Sequence, residues 1–200
     1  MKRHSIVACA VPLLATLWLA ACAVGTPFVR PAPEAIELGK TTYAQVVERL
    51  GKPSDETRSR KDGHVLRAID YTHASDAEAA KVPNTAGIRQ LIFVFSDDVV
   101  VAESFVSSFA SDSTDFDDRR VSEIAKGKTR CDEVLSMFGR PSARAIYPVA
   151  DQQGETAIGY EFKYVKRPIL QFKIFAKSLL VTCDAAGTVT QSTYSESGDR

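Results

Sequence analysis

The sequence predicts an α+β protein made of two tandem repeats, each a short helix pair packed on a four-stranded antiparallel sheet. Three observations predict it. The line GKTTYAQVVERLGKPS, Gly39 to Ser54, returns as GKTRCDEVLSMFGRPS, Gly127 to Ser142, with seven of sixteen positions identical at an offset of 88 residues, the mark of an internal duplication. After each copy the apolar period changes from helical to alternating, which is the strand signal. The 200-residue chain is 44% hydrophobic and 25% charged with zero formal net charge. That composition suits one or two globular domains and lacks the basic excess of a nucleic-acid surface.

Taken from the N-terminus, residues 1–21 read as a lipoprotein signal peptide: Lys2 and Arg3 precede an apolar stretch from Ile6 to Leu19. The stretch ends Leu19-Ala20-Ala21-Cys22, which resembles the lipobox of bacterial lipoproteins, where the cysteine is lipidated and begins the mature chain. Cys22 is therefore the expected lipidation site. The alternative is an uncleaved membrane helix over Ser5–Val24, nearly long enough to span a bilayer. Under the lipoprotein sorting rule, Ala23 in place of an aspartate implies delivery to the outer membrane, facing the periplasm. The partner there is outer-membrane lipid, held through acylated Cys22, and several acyl chains at about 0.8 kcal/mol per buried methylene make that anchor effectively permanent. Residues 22–35 follow as a lipid-anchored tether, with Pro27, Pro31 and Pro33 keeping it extended.

The first repeat spans residues 36–108. Thr41 or Thr42 serves as helix N-cap, with Gln45 placed for a capping box. Tyr43, Val46, Val47 and Leu50 recur at helical spacing, and Gly51 with Pro53 ends the helix. Four strands follow, two around the turn Lys61-Asp62-Gly63 and two around Asp97-Asp98. Residues 109–118, including the run DSTDFDD (Asp112–Asp118), read as an acidic linker. The second repeat, 119–194, opens with Thr129 three residues before Asp132, then Cys131, Val134, Leu135 and Phe138 at helical spacing, Gly139, Pro141 and a further set of strands. Residues 195–200 read as a disordered tail.

The offset pairs Cys131 with Tyr43 and Cys183 with Phe95, which both lie on apolar faces. After maturation these are the two unlipidated cysteines, and an even pair in an oxidising compartment predicts a Cys131–Cys183 disulfide. Two buried thiols that never meet is the alternative.

The duplicated line, followed by apolar strands, resembles the SmpA/OmlA family, small outer-membrane lipoproteins of the β-barrel assembly machinery. That family carries a motif of the approximate form Y-R-P-x-I-x-Q-G on the surface that meets lipid and partner subunits. Arg30, Pro31, Ile36 and Gly39 match it across a longer gap, with its tyrosine and glutamine absent; the resemblance implies partner contacts at these four positions. The usual family member has one unit. Two in tandem are similar in architecture to the β-lactamase inhibitor protein, whose paired sheets grip an enzyme.

Catalytic chemistry is not legible. The two Gly-Lys-Thr triplets lack the earlier glycine of a phosphate-binding loop, having Glu34 and Ser122 in its place. His64 and His73 are nine apart on one expected strand, with no metal-ligand spacing beside them. The acidic linker lacks the central glycine and terminal glutamate of a calcium loop. No enzyme activity, metal or cofactor is expected. Tyr160, Phe162 and Tyr164 alternate along one strand face, and a sheet with one wet face can present such rings to a partner or bury them in its core; Tyr160 is the candidate anchor. The expected function is a non-catalytic assembly or structural lipoprotein contacting envelope proteins of the barrel-assembly machinery, or alternatively a binder or inhibitor of a periplasmic enzyme.

Overall fold

The structure is a computed structural model that describes residues 23–76, 78–166 and 173–198; the signal segment and Cys22 lie outside them. In chain order the strands are β1 (Ala23–Val24), β2 (Asp55–Lys61), β3 (His64–Ser75), β4 (Thr85–Ser96), β5 (Val99–Ser107), β6 (Ala143–Ile146), β7 (Thr156–Lys166), β8 (Lys173–Cys183) and β9 (Val189–Ser197). Two eight-residue helices, α1 (Tyr43–Leu50) and α2 (Cys131–Phe138), accompany them. β9 carries regular pairing through Ser197, into the segment read above as tail.

The expected fold class is overturned. The described residues form one nine-stranded antiparallel sheet with two short helices, not two repeats of a helix pair on its own sheet. No second helix lies within either repeat among the described residues; what the chain has is one 3-10 turn ahead of each α-helix, Pro33–Ala35 in the segment before the first repeat and Asp118–Glu123 at the start of the second. The halves fuse because β6 is only four residues long and pairs on both edges: Ala102, Glu103 and Ser104 of β5 face Ala145, Arg144 and Ala143, which in turn face Ala157, Ile158 and Gly159 of β7. Beyond the short β6, β4 and β7 come together directly, Thr85 opposite Lys166 and Ala86 opposite Val165. Strands β4, β5, β6 and β7 thus close a ring, which a sequence period of two cannot announce.

Both helices pack on the same side of the sheet. α1 covers a cluster containing Ile36, Val46, Ile69, Leu91, Phe93 and Phe95; α2 covers one containing Val134, Ile158, Tyr160, Leu179 and Val181. The duplicated line sets each helix in place by the same hydrogen bonds. The Thr41 hydroxyl accepts from the Glu37 N–H and the Thr129 hydroxyl from the Ala125 N–H, both at 2.8 Å. Those hydroxyls close the turns that dock on the strands: the Gly39 N–H donates to the Val100 carbonyl at 2.7 Å, and the Gly127 N–H to the Val189 carbonyl at 2.8 Å. The caps themselves fall one residue later, at Thr42 and Arg130. Gly51 and Gly139 end the helices at φ 80° and 76°, a conformation that side chains resist. The repeated triplet is a docking turn.

Candidate binding surface

One face of the sheet is covered by helices and the other is open. Cross-strand register assigns the open face to alternate positions: Ile92 and Val94 on β4, Ala102 and Ser104 on β5, Ala143 and Ala145 on β6, Ala157 and Gly159 on β7. The ring of strands curves this face into a cleft of about 330 Å³. Its floor consists of small residues because the curved strands crowd there. A Cβ on Gly159 would lie 3.1 Å from the Ala143 Cβ, tighter than ordinary contact.

The rim mixes apolar and polar groups. Leu180 stands 50% exposed at one side. Further along the same face, the Lys163 ammonium donates to the Gln90 side-chain oxygen at 2.9 Å, and Gln90 donates to Asp70. Val149 overhangs the cleft from the segment after β6, where Lys61 holds its carbonyl at 2.8 Å and pairs with Asp151 at 2.8 Å. His64 packs edge-on against Tyr147, with ring centroids 5.3 Å apart. An apolar, largely preformed concavity with a few polar groups at its edge is the chemistry of recognition.

The residues singled out from sequence lie on the other side. The Arg30 guanidinium donates to the Pro141 carbonyl at 2.6 Å and sits 4.9 Å from the Phe105 ring centroid. Burial pushes its pKa down to about 10, helped by the like charges of Arg140 and Arg144 and opposed by Glu103. The Pro31 carbonyl accepts from Arg140 at 2.7 Å. Ile36 is core, 2% exposed, and its carbonyl accepts from Arg144 at 3.1 Å. Gly39 belongs to the docking turn. The segment named as a tether is therefore bound along the groove between the halves.

Tyr160 is 2% exposed; its hydroxyl donates to the Gly139 carbonyl at 3.0 Å, and burial pushes its pKa up to about 12. Phe162 and Tyr164 form a buried cluster with Phe175, while Phe172 lies outside the described residues. Cys131 and Cys183 are joined by a disulfide, Cα atoms 6.3 Å apart, tying the first turn of α2 to the end of β8. His73 is buried, stacked on Phe109 at 5.7 Å. The acidic run is packed down: Asp112 pairs with Arg89 at 2.7 Å, Asp115 with Lys177 at 2.9 Å, and Phe116 is buried against Tyr160. Among the described residues no group of three or more His, Cys, Asp or Glu is placed to hold a metal ion.

Sequence reasoning followed aromatics and missed the open face. Its signal was there, in the small residues at every second position of VAES, ARA and TAIG.

No protein-family model matches the chain, and no curated protein matches it. Among solved structures it is similar to a "putative beta-lactamase inhibitor protein" from Streptococcus mutans, at 11% identity over 78% of this chain and 82% of that one, with a TM-score of 0.44. So distant a likeness carries no functional argument, and the SmpA/OmlA resemblance stays a resemblance of the duplicated line.

Proposed function

We propose that the chain is a non-catalytic lipoprotein of the bacterial envelope, anchored through Cys22, that binds a protein partner in the cleft on the open face of its sheet. The cleft carries this reading. It combines a small-residue floor with an exposed Leu180, so a protruding apolar side chain of a partner would be desolvated there. Arg30, Pro31 and Ile36 make internal bonds, which favours the sheet over the 30–39 segment as the contact. That favours the binder reading over assembly through the family motif.

The test is affinity purification of the lipidated protein from gently solubilised membranes, comparing wild type with Leu180→Arg and Leu135→Arg. Leu135 is 40% exposed on the helix side and serves as the control. A partner recovered with wild type and Leu135→Arg, but weakened at least about tenfold by Leu180→Arg, equivalent to roughly 1.4 kcal/mol, supports the cleft. Equal recovery with all three sinks it. A soluble periplasmic enzyme in the eluate identifies a binder or inhibitor; barrel-assembly subunits identify an assembly factor.

A further inference from the structure

The reading of Cys22 as the lipidated residue has a geometric consequence on which this inference rests. We propose that the protein has no tether, and that the end of the sheet where β1 pairs with β3 rests directly on the bilayer that holds Cys22, with Val24, Ile174 and nearby lysines as the lipid contacts.

The first residues after Cys22 are already part of the fold. Ala23 pairs with Ser75 and Val24 with Ala74 as strand β1. Gly25 then presses against β3 so closely that a Cβ there would collide with the Thr72 carbonyl. The chain continues docked: the Phe28 carbonyl accepts from Arg89 at 3.1 Å, and Arg30 follows in its groove. No residue intervenes between Cys22 and β1, and one residue of chain reaches only about 3.5 Å. A body held that closely cannot swing freely above the membrane.

Register identifies which end is apposed. Ser75 faces Gly87, Thr85 faces Lys166, and Lys166 faces Lys173, so the ends of β3, β4, β7 and β8 nearest the anchor lie together. Two apolar side chains are exposed there, Val24 at 65% and Ile174 at 60%. Both are on the open face, Val24 opposite Ala74 and Ile174 opposite Val165. They are roughly 20 Å apart across four strand spacings. Lys81, Lys166 and Lys173 accompany them; the acids near this end among the described residues are Asp76, Glu78 and, on β9, Glu196, and Glu78 is drawn to Arg89 at 3.7 Å. Apolar residues among lysines suit an anionic phospholipid surface. The strands would then stand on the membrane with the binding cleft opening sideways, about 25 Å or less above the headgroups.

Tryptophan fluorescence tests this cleanly, because the chain's single tryptophan is Trp18, within the signal segment. The lipidated full chain carrying Ile174→Trp is reconstituted in phosphatidylethanolamine–phosphatidylglycerol vesicles with brominated acyl chains. Val65→Trp is the control: Val65 is 50% exposed, at the far end of β3 from Ser75, roughly 33 Å away. The expected result is loss of most of the emission at position 174 and none at position 65. Inserting about ten Gly-Ser residues between Cys22 and Ala23, a flexible spacer, should restore the emission at 174 while the protein still floats with the vesicles. Flotation with equal emission at both positions overturns the inference and leaves the anchor reading intact. Quenching at 174 that survives the spacer also overturns it, since anchor length would then not set the orientation. Failure of the unaltered chain to float with vesicles removes the lipid anchor and the inference together.

Discussion

The two halves hold their helices to the sheet at the same place by different means. In the first, the rings of Tyr43 and Phe95 meet edge-on, centroids 5.5 Å apart, and Arg67 lies over Tyr43 at 4.0 Å. In the second, the corresponding positions carry the Cys131–Cys183 disulfide. Three features around the two staples are shared: the docking turn, the glycine stop and a tyrosine hydroxyl on the stop's carbonyl, from Tyr71 to Gly51 at 2.9 Å and from Tyr160 to Gly139 at 3.0 Å. The shared parts specify where a helix goes, and the staple is the exchangeable part.

The largest test cuts the staples one at a time. Phe95 is 1% exposed, and Phe95→Ala should cost about 3–5 kcal/mol through lost burial and a residual cavity. Cys131→Ala with Cys183→Ala should cost about 2–4 kcal/mol, chiefly by freeing the 52-residue loop in the unfolded chain. Urea titrations with and without reductant separate the two. Reductant should reproduce the double-cysteine loss in wild type, add the same loss to Phe95→Ala, and leave the double-cysteine variant unchanged. A Phe95→Ala protein indifferent to reductant would mean that the staples are not independent.

The shared tyrosines come next. Tyr71→Phe and Tyr160→Phe each remove one hydroxyl-to-carbonyl bond, costing about 1 kcal/mol apiece. They also sharpen an alkaline limit common to both halves. Burial pushes both hydroxyls up to about 12, so the unfolded chain ionises first, near pH 10. Their contribution is complete below about pH 10 and is lost as pH rises towards 12. Each Phe variant should therefore lose less stability than wild type between pH 10 and 12, and a circular-dichroism melt at stepped pH shows whether it does.

What could be read from the sequence was local. Thr42 and Gln45, three apart, do form the capping box, by bonds of 3.3 and 2.9 Å, and the pairing of Tyr43 with Phe95 follows from in-phase positions. The fusion of the halves was not legible, because it depends on pairings between distant parts of the chain, Ser104 with Ala143 and Thr85 with Lys166, and on the bonds of Arg30 to Pro141 and Arg140 to Pro31. Three prolines in the 22–35 segment predict extension. They are compatible with extension, yet an extended segment can lie in a groove as well as in water. Tyr160 misled for a related reason. A period of two shows that side chains share a face and does not show which face is covered, and only the positions of α1 and α2 settle that.

The smallest expected effect concerns the two helix starts, where the cap residues of the halves differ, Thr42 against Arg130. α1 has both capping bonds, whereas α2 has only the Glu133 carboxylate accepting from the Arg130 N–H at 2.7 Å. Its cap residue, Arg130, has no side-chain acceptor to offer. Thr42→Ala should therefore cost about 1 kcal/mol, while Arg130→Thr should add up to about 1 kcal/mol by completing the second box. The backbone permits it: Arg130 at φ −97°, ψ 155° already has nearly the geometry of Thr42 at −87°, 161°. The ion pair given up, Arg130 to Asp132 at 3.5 Å, is exposed on both sides and so contributes little. The measurement belongs in the Cys131→Ala, Cys183→Ala background, where α2 is no longer held covalently and its first turn bears on global stability. An Arg130→Thr variant less stable than its parent there would show that the Arg130 side chain, whose Nη2 would lie 3.3 Å from a Cβ on Gly187, secures α2 to the β8–β9 turn in place of a cap.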